Sequence, residues 1–290
     1  MADRYLDRVG RRTAVVGSVL CLGLDPAPDA LPPGMPANVE GIERFARLIL
    51  DSALPYAAAV KPNLAFFEAF GSAGLAALER IRAVIPGDVP VIIDAKRGDI
   101  GSTAARQAAA LFDALGADAV TVNPYLGQDA VAPLLERIDR FAYVLCRTSN
   151  SGAAELQGLM VAGDGEGSPE EPLWARVARR ATDWGPGGTV GLVVGATAPE
   201  ELAAVREITP ELAFLVPGIG VQGGDIDPVL AHGRATQGVA ARQPGGGLIV
   251  NVSRAIARAA LDASGGGGGD LGERIAAAAA GWARRLPVLP

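Results

Sequence analysis

The stretch Val89-Pro90-Val91-Ile92-Ile93-Asp94-Ala95-Lys96-Arg97-Gly98-Asp99 decides the fold. Its first half is apolar without polar alternation, the pattern of a strand buried on both faces. Its second half is densely charged. In a parallel α/β barrel the carboxyl ends of the strands, where the βα loops form a mouth, are where such groups belong.

Seven further runs share the character of Val89–Ile93: Val19–Leu24, Tyr56–Val60, Ala117–Val122, Phe141–Cys146, Val190–Gly195, Leu212–Val216 and Gly247–Val250. Helical patterns lie between them. Over Gly41–Ser52, Ile42, Phe45, Leu48 and Ile49 share one face, with Asn38 as N-cap. In the next helix Leu75, Leu78, Ile81 and Ile85 form the apolar stripe, and Pro86-Gly87 stops it. Eight strands alternating with helices make either a closed barrel or an open doubly wound sheet. No Gly-x-Gly-x-x-Gly follows the first strand, which weakens the dinucleotide-binding sheet. Eight units within 290 residues favour a (β/α)8 TIM barrel, read as one domain over 1–290. Three segments are additions to this frame. An N-terminal helix over Ala2–Thr13 is expected to plug or flank the barrel bottom. An insertion, Ser151–Glu171, interrupts the fifth βα connection. A Gly265–Gly269 spacer leads to an alanine-rich C-terminal helix, Asp270–Arg285, expected to dock on the barrel exterior.

Composition narrows the chemistry. Net charge is −6 and no lysine/arginine block stands out, so nucleic acid is not expected as a partner. Positive contacts to an anionic ligand must therefore be local to a pocket. Two cysteines and one histidine exclude a Cys/His zinc cluster and argue against a disulfide framework. They leave no Ser-His-Asp or Cys-His nucleophile unless His232 is the base, and its polar setting, Ala231-His232-Gly233-Arg234, reads as surface. Arg11-Arg12 before the apolar run Ala14–Leu24 imitates a secretory signal. Asp3 and Asp7 acidify that region, however, and the run ends in Leu24-Asp25-Pro26, a strand ending at a site. No other stretch approaches the ~18 apolar residues that span a bilayer. The expectation is a soluble, cytoplasmic protein with no membrane partner.

Polar residues stand at nearly every strand exit. They are Asp25; Lys61 with Asn63; Asp94 and Lys96; Asn123-Pro124-Tyr125; Arg147-Thr148-Ser149; Pro217–Gly224; and Asn251–Arg254. Asp25, Lys61, Asp94 and Lys96 come from three consecutive strands and are expected to converge as an alternating charge array. A salt-bridge network closing the mouth would use the same residue types, but merely stabilising ion pairs rarely need four members in a desolvated site. Asp94 and Lys96 are two apart, so on a strand both point into the mouth, and Asp99 follows on the loop. The seventh loop, rich in glycine over Gly218–Gly224, and Arg254 in the eighth stand where barrels often bind phosphate. Glycines let backbone N–H groups approach an anion, and Gln222 and Arg254 add side-chain donors. The expected ligand is a phosphorylated small molecule.

The pattern Asp-x-Lys-x-x-Asp-Ile-x-x-Thr, here Asp94, Lys96, Asp99, Ile100 and Thr103, resembles the signature of orotidine 5′-phosphate decarboxylases. The resemblance continues in order along the chain. It runs through Val60-Lys61-Pro62-Asn63, Thr148-Ser149-Asn150-Ser151-Gly152-Ala153, Pro217-Gly218-Ile219-Gly220-Val221-Gln222-Gly223-Gly224 and Arg254. Length and the expanded fifth loop are similar to the longer bacterial branch of that family. The resemblance implies cofactor-free and metal-free decarboxylation of orotidine 5′-monophosphate. It makes Lys96 the proton donor to C6, places Asp94 beside the substrate carboxylate, and has Lys61 order the array and contact the ribose. Asp25 then meets a ribose hydroxyl and Asn63 belongs to the same substrate-binding set. Ser149 reads the pyrimidine, and Pro217, Gln222 and Arg254 belong to the phosphate end. Asp99 and Thr103 are implied to serve the neighbouring subunit of a homodimer with shared sites. Magnesium-dependent sugar-phosphate decarboxylases and hexulose-phosphate synthases share the Asp-x-Lys-x-x-Asp motif, but pair it with acidic metal ligands and a histidine on the fourth strand. The same residues would also suit a Schiff-base aldolase using Lys61 or Lys96, or a non-catalytic nucleotide-binding protein. The intact array speaks against a merely binding role.

Overall fold

The computed structural model describes residues 4–163, 167–261 and 270–289. Eight strands carry the fold: β1 Leu20–Leu24, β2 Ala59–Pro62, β3 Ile92–Arg97, β4 Ala119–Val122, β5 Phe141–Arg147, β6 Val190–Val194, β7 Ala213–Val216 and β8 Ile249–Val252. All pair in parallel, in the order β2-β1-β8-β7-β6-β5-β4-β3. Bridges at Val60↔Val91 and Asn63↔Asp94 link β2 to β3, so the sheet curls into a nearly closed barrel. The expected TIM barrel is therefore the observed one.

Successive side chains of a strand point to opposite faces, and here the two faces form separate apolar clusters. Leu22, Val60, Ile93, Val120, Val144, Leu192, Phe214 and Val250 face outward, where they pack beneath the helices. Cys21, Ala59, Ile92, Ala119, Phe141, Tyr143, Ala213 and Ile249 face the barrel axis. The bulk of Phe141 and Tyr143 leaves no room on the next strand. A Cβ on Gly191 would lie 2.8 Å from Phe141 and 3.0 Å from Tyr143, which accounts for glycine there.

The N-terminal helix, Tyr5–Val16, closes the bottom of the barrel. Tyr5, Leu6 and Val9 join the axial cluster. Tyr5 stacks on Phe141 with ring centroids 4.8 Å apart, and its hydroxyl lies 3.2 Å from that of Tyr143. Arg8 pairs with Asp118, which also accepts the Val91 amide at 2.8 Å. The helix runs one turn past the expected Thr13, because nothing in Ala14-Val15-Val16 breaks it before Gly17 adopts φ 68°.

Other element ends differ from the sequence reading by one to four residues. β2 starts at Ala59 because Leu54–Tyr56 forms a 3-10 turn around Pro55. β8 starts at Ile249 because Gly245, Gly246 and Gly247 all take positive φ. Asn38 caps the helix Val39–Ala53, its Oδ1 accepting from the Gly41 amide at 3.1 Å. In the helix Gly71–Val84, Leu78 and Ile81 are buried but Leu75 is exposed. Two steps of three residues place Leu75 about 120° from Ile81 around the helix, off the buried stripe. The C-terminal helix Leu271–Arg285 begins with a capping box between Asp270 and Glu273 and packs against Val39–Ala53 outside the barrel. The Gly265–Gly269 spacer lies outside the described residues. The fifth-loop insertion holds a one-turn helix, Ala153–Leu156, and a two-residue antiparallel hairpin, Met160–Val161 with Glu171–Pro172. Cys21 and Cys146 are buried free thiols, and His232 is exposed at the end of the helix Ile226–His232.

Candidate active site

The axial positions that form the plugged bottom continue, two residues further along each strand, into the mouth. Ala59 leads to Lys61, Ile92 to Asp94, Ala119 to Thr121, Tyr143 to Leu145, Ala213 to Leu215 and Ile249 to Asn251. These residues, with Asp25 and Val193, line a cavity of about 580 Å³ at the carboxyl ends of the strands. Its rim adds Asn63, Lys96, Thr148, Ser149, Asn150, Gln157, Pro217 and Gln222.

Asp94 is the centre of the charge array. Lys61 Nζ donates to Oδ2 at 2.7 Å, while Lys96 Nζ at 2.6 Å and Thr121 Oγ1 at 2.9 Å donate to Oδ1. Burial alone would raise the Asp94 pKa, but the charges of Lys61 and Lys96 and their hydrogen bonds hold it well below the usual carboxylate range. Burial likewise disfavours the Lys61 ammonium, yet the Asp94 and Asp25 carboxylates raise its pKa above that of an ordinary lysine. Both groups are therefore ionised at neutral pH in a largely desolvated setting.

β3 is not regular through this motif. Its register against β4 shifts between Ile93 and Arg97, and Lys96 adopts φ 48°, the only non-glycine residue with positive φ among those described. The Ala95 and Lys96 amides both donate to Thr121 Oγ1, at 3.0 and 2.9 Å. The bulge thus delivers Lys96 to Asp94 by a route that simple strand alternation does not supply.

Two buried acceptors in the mouth, Asp25 Oδ1 and Asn251 Oδ1, have no hydrogen-bond partner among the described residues. Buried polar atoms are normally satisfied, so these suit hydroxyl donors of a ligand. Beyond them lies a small recess of about 60 Å³, lined by Gly218, Val221, Gln222, Ser253 and Arg254 among others. Gly218 and Gly220 take φ 102° and 90°, and the Gly224 amide closes the loop onto the Gly218 carbonyl at 3.0 Å. Gln222 Nε2 reaches across the mouth to Ser149 Oγ at 3.2 Å.

Of the residues expected from sequence, Asp25, Lys61, Asn63, Asp94, Lys96, Ser149, Pro217 and Gln222 share the cavity, and Arg254 lines the adjoining recess. Asp99 and Thr103 do not line either. The Asp99 carboxylate accepts the Ile100 amide at 2.8 Å, and Thr103 lines an apolar groove with Leu75, Arg97 and Arg106. At the fourth strand the exit residues anticipated from sequence are displaced. Asn123 caps a 3-10 turn, Tyr125 is 77% exposed, and Thr121 faces the cavity instead. A polar residue at an inward position of an otherwise apolar run is the signal that marks Thr121. Gln157 carries none, because it reaches the cavity from the insertion.

Residues 18–265 match the family described as Orotidine 5′-phosphate decarboxylase / HUMPS family. An orotidine 5′-phosphate decarboxylase of Roseiflexus sp. (strain RS-1) is 47% identical over 270 residues, covering 93% of this chain and 90% of that protein. A crystal structure from Toxoplasma gondii superposes with a TM-score of 0.83 at 38% identity, over 98% of this chain and 95% of that one. The Leishmania donovani OMP decarboxylase gives a TM-score of 0.77 at 37% identity, over 97% of each chain. The chain belongs to the orotidine 5′-phosphate decarboxylase / HUMPS family.

Proposed function

We infer that the protein decarboxylates orotidine 5′-monophosphate to uridine 5′-monophosphate and carbon dioxide, the closing step of pyrimidine nucleotide synthesis. The observation that carries this reading is Asp94 clamped between Lys61 and Lys96 at one end of the cavity, with the glycine- and arginine-lined recess at the other. The family description spans a second chemistry, but the curated relative at 47% identity is a decarboxylase of the orotidine type. Both Asp94 oxygens are engaged by ammonium groups, and no three His, Cys, Asp or Glu side chains converge among the described residues. This donor set does not favour the magnesium-dependent chemistry.

In the proposed complex the phosphate enters the recess beside Gln222, Arg254 and the backbone after Pro217. Ribose hydroxyls meet Asp25, Asn63 and Lys61, and Ser149 faces the pyrimidine. The C6 carboxylate lies near Asp94. Two unit charges ~4 Å apart at an effective dielectric near 20 repel by roughly 4 kcal/mol, and this repulsion disappears as carbon dioxide leaves. The C6–carboxylate bond breaks with its electron pair left on C6. Lys96 Nζ then donates a proton to that carbon and recovers one from solvent, to which its side chain is 51% exposed. Stabilisation of the developing negative carbon by an adjacent ammonium is gained mainly in the transition state, where it accelerates the reaction.

Asp99 and Thr103 act, on this reading, in the site of a second copy of the chain. Exposed Ile100, next to Asp99 in the chain, and exposed Tyr125 and Leu126, on the adjoining β4 exit, suit such a homodimer. No helix of the described residues is long and apolar enough to cross a membrane. The deciding experiment follows the absorbance of orotidine monophosphate with wild type and Lys96→Ala. Wild-type turnover and its loss in a folded variant are expected; ordinary turnover by Lys96→Ala would overturn the assigned role.

A further inference from the structure

Among the described residues of the fifth-loop insertion, one side chain is directed into the cavity wall. Gln157 is half-buried and lines the cavity, while Ala154, Glu155, Leu156, Gly158, Leu159 and Met160 around it are exposed. Its amide grips Thr148 twice: Oε1 accepts the Thr148 N–H at 2.9 Å, and Nε2 donates to Thr148 Oγ1 at 2.8 Å. Thr148 Oγ1 donates in turn to Asn150 Oδ1 at 2.6 Å. Thr148, Ser149 and Asn150 all line the cavity.

Gln157 is itself held from both sides. Its backbone amide donates to the Ala153 carbonyl and its backbone carbonyl accepts from the Trp174 amide, each at 2.9 Å. The Leu173 amide bonds the Leu159 carbonyl at 2.8 Å, and Glu171 of the adjoining hairpin is clasped by Arg176 and Arg179 at 2.6 Å each. The other flank of the rung abuts glycine backbone. A Cβ on Gly195 or Gly218 would come within 2.9 Å of Ser149, so side-chain contacts on that flank come from the loops beyond the two glycines. Thr197 Oγ1 donates to the Ser149 carbonyl, and Gln222 meets its hydroxyl. On the insertion side, Gln157 makes the side-chain hydrogen bonds that fix the amide and hydroxyl of Thr148.

We propose that the insertion is a specificity element: Gln157 is a positioning residue that sets the Thr148–Ser149 rung against the base of the ligand. This rests on the assignment of Ser149 to the pyrimidine. A strut on the base-reading rung has a signature that a general structural role lacks. It changes binding of ligands that carry the base and spares those that present only ribose and phosphate.

The test measures dissociation constants for uridine 5′-monophosphate and ribose 5-phosphate by calorimetry on wild type, Gln157→Ala, Gln157→Glu and Ser149→Ala. Loss of two neutral hydrogen bonds should weaken uridine monophosphate about ten-fold in Gln157→Ala. Ribose 5-phosphate binding should stay unchanged, and the thermal midpoint should fall by no more than a few degrees. Gln157→Glu, whose carboxylate still accepts the Thr148 N–H, should fall between and serves if the alanine variant does not fold. Equal loss for both ligands, or no loss in either Gln157 variant, overturns the proposal. A base-selective loss in Gln157→Ala with Ser149→Ala silent upholds the strut and removes Ser149 as reader. Wild-type protein that binds ribose 5-phosphate but not uridine monophosphate overturns the nucleotide reading itself.

Discussion

Thr121 contributes a single hydroxyl to the site, and three groups depend on it. Its Oγ1 takes the Ala95 and Lys96 amides and gives its proton to Asp94. Lys96 sits at φ 48°, where a side-chain-bearing residue carries strain of order 1–2 kcal/mol, and these bonds offset it. Thr121→Val keeps the shape and removes the hydroxyl, leaving two amides without an acceptor at roughly 1–3 kcal/mol each. The expected outcome is a fall in kcat of at least about ten-fold with a smaller change in KM, and near-normal kinetics in Thr121→Ser. Equal kinetics for valine and serine variants would show that the bulge holds without Thr121. The same cluster makes a pH prediction. Asp94 is depressed, so its contribution to stability is present above the ordinary aspartate pKa and is lost only as pH falls through its lower folded value. Lys61 is raised, so its contribution is present below the ordinary lysine pKa and is lost as pH climbs through its higher folded value. Neither should titrate between about pH 5 and 9, so urea midpoints across that range should carry no inflection that Asp94→Asn or Lys61→Met removes.

At the scale of the element, alternation along the strands divides the barrel into a sealed floor and a reactive mouth. The floor is a helix whose Tyr5, Leu6 and Val9 fill what would otherwise be an open end. Tyr5→Ala should cost about 3–5 kcal/mol, as large aromatic truncations in cores do, measured by urea unfolding. The folded fraction should keep its kcat/KM, because the plug lies at the opposite end of the strands from Asp94 and Lys96. A matching loss of activity under folding conditions would mean that the floor also shapes the mouth. The same alternation explains what is legible in the sequence. Continuous apolar runs reveal all eight strands, and charge at their ends reveals Asp25, Lys61 and Asp94, because burial on both faces leaves few other places for charge. Lys96 is legible for an incomplete reason: the two-residue spacing is right, but a bulge and not the pleat delivers it. Thr121 is overshadowed because Asn123-Pro124-Tyr125 is the more polar exit, although the turn after β4 carries it away from the cavity. Gln157 is out of reach, since its role depends on how an insertion folds back over the barrel.

For the whole molecule, the cavity of one chain holds the carboxylate clamp and adjoins the recess beside Arg254, but neither includes Asp99 or Thr103. Those two stand near an exposed apolar edge, with Ile100 at 63% and Tyr125 at 77% exposure, and Thr103 lines a groove of about 490 Å³. A closed two-fold dimer uses the same patch on both copies, so an edge that covers itself would carry Asp99 of each chain toward the other's site. Complementation separates this arrangement from one in which each chain is self-sufficient. Asp99→Asn and Lys96→Ala should each be inactive alone. In a hybrid dimer, one site takes Lys96 from the first chain and Asp99 from the second and is undamaged, while the other carries both lesions. Random exchange makes half of the dimers hybrid with one of two sites intact, so an equimolar mixture should recover about one quarter of wild-type activity. The recovery should appear with the kinetics of subunit exchange, followed by fluorescence transfer between labelled chains. Full exchange without recovered turnover would place Asp99 in the service of its own chain and end the shared-site reading.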